Sequence, residues 1–127
     1  MARAVDGDLS AAFGRLRNAA AGLPEVEEAP WYGTPALKVR GKGFCRVRDA
    51  GTVVVMVPLE VKELLLEAAP DRYFETDHYR GWPAVLVRID AIADDELAHR
   101  LRQAWLLKAP KALAKRAGGR GGAAGGR

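Results

Sequence analysis

The chain has 127 residues, 49% of them hydrophobic, with a formal net charge of +4 and one cysteine, enough for one modest core rather than two. A lone cysteine excludes an internal disulfide and a thiolate-rich zinc site. No stretch reads as a membrane span or a secretory signal, so a cytoplasmic protein with no membrane partner is expected. The charge is uneven: residues 1–107 carry 14 Lys and Arg against 16 Asp and Glu, a net of −2, whereas residues 108–127 carry six basic residues and no acidic one. Attraction to a polyanion must therefore come from a local patch or from the C-terminal end, not from the body as a whole.

In chain order, DGDLSAAFGRLRNAAAGLP places Leu9, Ala12, Phe13, Leu16, Ala20 and Leu23 near helical spacing, with Asp8 as cap and Gly22 and Pro24 as stop, predicting a helix over about 8–21. EVEEAPWYGTPALKV holds too many prolines and glycines for a long helix and begins extended structure. From Pro35 the period becomes two: Leu37 and Val39 alternate with Lys38 and Arg40, and Cys45 and Val47 with Arg46 and Arg48, around a turn at Gly41–Gly43. Asp49 to Gly51 turn the chain into TVVVMVP, an apolar strand suited to the inside of a sheet.

LEVKELLLEAAP is expected to be a second helix with Val61, Leu64, Leu65 and Ala68 facing the core. Ala84 to Ile89 form another strand. Asp94 is expected to cap a last helix carrying Leu97, Leu101, Ala104 and Trp105 at spacings of three and four, interrupted at Pro110 and continuing to about Arg116. Residues 1–117 are thus one domain, and 118–127, GRGGAAGGR with its preceding glycine, lack the apolar surface to order themselves and are expected to be a flexible, basic end. The order α-β-β-β-β-α-β-α describes an α+β fold, an antiparallel sheet with helices packed on one face.

If Leu37, Val39, Cys45 and Val47 face the helices, alternation sends Lys38, Arg40, Arg46 and Arg48 to the other face, and Arg88 joins them from the last strand. Such a cluster suits an anionic partner, or simply the wet side of a sheet where long side chains splay into water. Trp31, Tyr32, Phe44 and Tyr79 could add stacking rings near it, or anchor core and loops. In FETDHYRGWPAVLVRI, Gly81 and Pro83 make RGWP a strand-entry device. Trp31, His78, Tyr79 and Trp82 nevertheless gather enough polar and aromatic groups for a loop site.

Catalysis and metal binding have little support. His78 and His99 lack ligand spacing, Asp77, His78 and Cys45 are triad residue types without triad geometry, and phosphate-cradling glycine motifs are missing. No enzyme activity, cofactor or metal is expected.

The segments APWYGTPALKVRGKGFCRV, FETDHYRGWPAVLVRI and DDELAHRLRQAWLLKAPKAL together resemble the MmcQ/YjbR-like family over about Leu16 to Leu113. The sharpest matches are Trp31, Gly33, Pro35, Lys38, His78, Tyr79, Gly81, Pro83 and Arg88. The resemblance implies a compact CyaY-like α+β fold and carries no catalytic set. Members are commonly called DNA-binding proteins, so the implied partner is DNA, bound weakly and without sequence discrimination through Lys38, Arg40, Arg46, Arg48 and Arg88. A small-ligand or protein-interaction module of the same fold is the alternative, and a monomer and a weak homodimer are equally compatible with the sequence.

Overall fold

The structure, a computed structural model, describes residues 9–116. Helix α1 (Ser10–Ala19) forms where Ala12, Leu16 and the following Ala20 recur at helical spacing, and all three are buried. Gly22, at φ 94°, then turns the chain out of the right-handed run. The expected cap, Asp8, lies outside the described residues, as does the Gly/Arg-rich segment 118–127.

Strands β1 (Val26–Trp31), β2 (Thr34–Val39), β3 (Lys42–Asp49) and β4 (Thr52–Met56) follow as an antiparallel meander. The first two turns are Tyr32-Gly33 and Arg40-Gly41, with φ of 56° and 79° in one and 51° and 81° in the other. Two left-handed residues give a hairpin turn whose twist matches its strands. In each turn the first is not glycine, and its Cβ costs about 1–2 kcal/mol of backbone strain.

The chain continues through α2 (Leu59–Ala68), β5 (Tyr73–Phe74), a 3-10 turn at Asp77–Tyr79, β6 (Ala84–Arg88), a second 3-10 turn at Ile89–Ala91 and α3 (Asp94–Lys108). Helix resumes at 111–116 beyond Pro110, which cannot donate to the preceding ladder. Among the described residues the sheet has six strands in the order β1-β2-β3-β4-β6-β5, which places the apolar β4 inside it. This is the expected α+β architecture with a CyaY-like topology, extended by the two-residue β5.

One face of the sheet makes most of the core, and on the other Ala36, Val54 and Leu86, in line with Arg46, are buried as well. Leu37, Val39, Cys45, Val47, Val53, Val55, Val85 and Val87 are buried against Leu16 of α1 and Leu97, Leu101, Ala104 and Trp105 of α3. Trp105 satisfies its indole N–H on the carbonyl of Pro24 at 3.0 Å. Arg15 joins the two helices, donating to the carbonyls of Ile89 and Ile92 and to Asp94 Oδ1, the last at 2.7 Å. Asp94 is therefore engaged across the helix pair instead of capping its own helix; the cap position is Ala93, without a side-chain bond.

Helix α2 departs from expectation in part. Its one buried residue is Lys62, while Leu64 is 64% exposed and Ala68 is exposed. The helix lies against β5 and β6 at the sheet's short edge, where the expected Val61 and Leu65, together with Leu66, pack half-buried against the core while Lys62 reaches the 75–82 loop.

Candidate nucleic-acid interface

Two register slips decide where the basic residues sit. Between Leu37 and Lys38 the partner shifts from Cys45 to Gly43, so Phe44 is an extra residue in β3 and both Phe44 and Cys45 are buried. Between Val47 and Asp49 the partner of β3 moves from Val53 to Thr52, leaving Arg48 as the extra residue, 4.0 Å from Asp49. Strict alternation, which would have aligned Arg46 with Arg48, is broken at both ends of β3.

Arg46 is the residue that the alternation places well. It pairs with Ala36 on β2 and Val54 on β4, across the sheet from the core-facing Cys45 and Val47. Its guanidinium is half-buried and donates to the Thr34 hydroxyl at 3.0 Å and the Tyr79 hydroxyl at 2.8 Å, with the Tyr32 ring centroid 5.3 Å from Cζ. Each of these partners is neutral. Among the described residues no carboxylate lies within ion-pairing distance of Arg46, whereas Arg15, Arg17, Arg40, Arg72 and Arg80 each have one. Arg46 is thus a partly desolvated cation held by neutral partners.

The other four expected cations are more scattered. Lys38 shares the face, opposite Glu27 on β1 and Gly43 on β3. Arg88 ends β6 opposite Thr52 and lies over the Phe74 ring, 4.1 Å from its centroid. Arg40 is off the face: β2 ends at Val39, and the left-handed turn directs Arg40 into a two-bond pairing with Glu25. The Arg40 hydrogen bond holds the Glu25 carboxyl below its usual range, and Glu25 raises the guanidinium in return. Arg40 reaches a phosphate only by exchanging this partner.

The aromatic residues gather around Arg46 on both sides. From the β1–β2 turn, Trp31 and Tyr32 stack with centroids 5.6 Å apart at 30°. The Trp31 ring rests on Gly43 so closely that a Cβ there would be 2.4 Å from it, so a glycine at this point in β3 makes room for the indole. From the 3-10 turn, Tyr79 reaches Arg46, and His78 and Trp82 stack at 6.0 Å and 25° beside it. Tyr32 is 69% and Trp82 45% exposed. The four loop-site candidates thus divide in two: Trp31 on one side of Arg46, and His78, Tyr79 and Trp82 on the other.

Lys62 holds the second group in place. It is 3% exposed, and its Nζ donates to the carbonyls of Tyr79 at 2.7 Å and Trp82 at 2.9 Å and pairs with Glu75 at 2.7 Å. Gly81, at φ 80°, lets the chain turn between those two carbonyls, and the carbonyl of the following Pro83 accepts from Val57 N–H. Lys62, Thr34 and Phe74 have no periodic signal: their roles depend on partners 12 to 20 residues away, or on a two-residue strand.

The geometry argues against the nucleophile arrangement that the residue types could suggest. Burial drives the Cys45 thiol far up from its usual range, so it carries no thiolate near neutral pH. The Asp77 carboxylate pairs with Arg80 at 2.6 Å instead of orienting His78. Among the described residues no group of three or more His, Cys, Asp and Glu converges to hold a metal ion, and no helix is long and apolar enough to cross a membrane.

The site thus belongs to an α+β sheet module with helices over one face and a half-buried arginine among aromatic rings on the other. The YjbR family model matches residues 21–107, and the chain belongs to that family. Uncharacterized proteins of Mycobacterium tuberculosis and Mycobacterium bovis are 45% identical over 53 residues, which is 42% of this chain and 41% of theirs. The chain's match therefore spans about two-fifths of those relatives. The crystal structure of Deinococcus radiodurans protein DR2400, with a DUF419 domain, superposes with a TM-score of 0.65 at 24% identity, covering 81% of this chain and 85% of that one; the likeness is one of fold.

Proposed function

We propose that the protein is a non-catalytic DNA-binding module that uses the sheet face around Arg46 weakly and with little sequence discrimination. The observation that carries this is the half-buried Arg46 guanidinium, hydrogen-bonded to Thr34 and Tyr79 but without an acidic partner. Lys38 and Arg88 supply further positive charge on the same face, and Arg48, at the bulge beside Asp49, and Arg40, paired with Glu25, add to it when released from those carboxylates. Contacts of this kind go to phosphates and carry no base information. A recognition helix is not part of this arrangement: α1 and α3 are both occupied with the core.

The test is an anisotropy titration of labelled DNA, in single- and double-stranded form, over a range of salt. The expected signature is an affinity that falls linearly with the logarithm of salt concentration, and a variant with Lys38, Arg48 and Arg88 all changed to Ala should lower that slope by roughly 2–3. These side chains do not anchor the core, so the variant should fold. Absence of binding in either form at low salt would overturn the reading and favour a small-ligand or protein-interaction module.

A further inference from the structure

We infer that the strand this face takes is single-stranded DNA, with unpaired bases stacked on Tyr32 and Trp82 and a phosphate seated at Arg46. The inference rests on the DNA-binding reading above and adds to it the state of the strand.

The first observation is the disposition of the rings. Tyr32 and Trp82 are the most exposed of the Phe, Tyr and Trp rings among the described residues, and each stacks with a second ring, Trp31 with one and His78 with the other. A stacked ring is already oriented, so little rotamer freedom remains to be lost when a base lands on it. Both groups connect to the same cation: Tyr32 lies over the Arg46 guanidinium, and Tyr79, whose ring sits 6.3 Å edge-on to Trp82, accepts from that guanidinium through its hydroxyl. Ring, cation, ring is the alternation by which single-strand binders engage base, phosphate, base.

The second observation is where the charge lies. A duplex offers phosphates on its outside and hides the faces of its bases, so its partners project cations outward and gain nothing from exposed rings. Here the central cation is recessed and half-buried, and Arg40, on the β2–β3 turn, is neutralised by Glu25. Unpaired nucleotides can lower a phosphate between the rings, where a stiff duplex cannot.

The third observation is conformational. Tyr32 occupies a left-handed position, φ 56°, where glycine would be unstrained and a bulky side chain is rarely found. The turn's geometry gives no reason for tyrosine. Its ring does, because nothing in the core depends on it: it is the more exposed member of its pair and reaches over Arg46.

This conformation supplies a test that separates function from folding. Tyr32→Gly removes the ring and relieves the turn, so it should leave thermal stability equal or higher while reducing affinity for a labelled 15-mer of dT about five- to hundredfold, the range for losing one stacked base. Trp82→Ala should give a loss of the same order. Three probes are titrated at low salt with the full chain, dT 15-mer, a 15-base-pair duplex and a 15-mer of abasic phosphodiester backbone, and the dT 15-mer is titrated again with the Tyr32→Gly variant. Tight binding of the dT strand, with the duplex and the abasic strand both at least fivefold weaker, supports the inference. Equal affinity for dT, duplex and abasic strand, or an unchanged affinity in Tyr32→Gly, overturns it while leaving DNA binding intact. No binding to any probe overturns the DNA reading itself, and this inference with it.

Discussion

Replacing Lys62 by Met keeps most of the side-chain volume and removes the ammonium that fastens the 75–82 loop. In the native protein that ammonium has three partners within 2.9 Å: Glu75, Tyr79 O and Trp82 O. Taking one member from a buried ion pair costs about 3–5 kcal/mol because the other charge is left uncompensated. Glu75 retains 27% of its side-chain surface in water, which moderates its share, but two inward carbonyls lose their donor as well. A total of about 3–5 kcal/mol is a large part of the ~5–15 kcal/mol typical of a domain. At roughly 4 °C per kcal/mol for a domain of this size, it lowers Tm by about 12–20 °C in a circular-dichroism melt. Amide exchange should show where the loss falls, with protection at Tyr79, Arg80 and Trp82 N–H disappearing before that of β4 and β6. Adding Glu75→Gln should recover part of the stability, since it removes the stranded carboxylate. A Lys62→Met protein within about 1 kcal/mol of wild type, with those amides still protected, would refute the clamp.

Three further outcomes are expected. Gly43→Ala puts a methyl into the Trp31 ring, 2.4 Å from its nearest atom; the indole must shift, costing about 1–3 kcal/mol in a denaturant titration and disturbing the Tyr32 stack it supports. Tyr73 is pushed above its ordinary pKa of 10.0, first by burial and then by donating to Glu96, so the folded state holds that proton more firmly and stability should decline as pH rises past 10. Burial alone would raise Glu96, but the bonds from Tyr73 and Arg72 outweigh it and hold the carboxyl below 4.5, so its contribution is present above that pH and lost as acid protonates it; Tyr73→Phe should flatten the alkaline decline and weaken the acid one in pH-dependent melts. Deleting residues 118–127 removes Arg120 and Arg127 and should leave the melt nearly unchanged while lowering DNA affinity modestly and uniformly; complete loss of binding in a folded truncation would move recognition from the sheet to the tail.

The elements that were legible in the sequence are those whose partners repeat locally. Leu37 and Val39, or Leu97, Leu101 and Trp105, announce a strand and a helix because the core meets each at a fixed period. The slips flanking Arg46 have no such signature: an extra residue at Phe44 or Arg48 is visible only when the neighbouring strand supplies a register. The same limit explains α2. LEVKELLLEA has an apolar stripe of which Val61 and Leu65 pack half-buried on the core, yet the residue drawn fully inward is Lys62, because what it faces is carbonyl oxygens 17 and 20 residues onward. In the site, Lys38, Arg46 and Arg88 were recognisable as strand residues facing away from the core. That Arg40 belongs to Glu25, and that Arg46 joins two aromatic groups, follows from turn conformation and tertiary contact.

The sheet ends on one side at β1, a six-residue strand with a partner on only one edge. A free edge of that length is where a second chain could add itself and continue into a fibril. Here the strand reads Val-Glu-Glu-Ala-Pro-Trp. Adjacent glutamates would meet their own kind in an antiparallel self-pairing, and Pro30 has no N–H to contribute to the new ladder. Arg17 engages Glu28 and Arg40 and Arg116 engage the nearby Glu25, so the edge is also guarded by side chains that an incoming strand would have to displace. The face proposed to meet DNA can thus stay open and rich in exposed rings without the sheet as a whole inviting polymerisation, because the opposition to growth is built into its border.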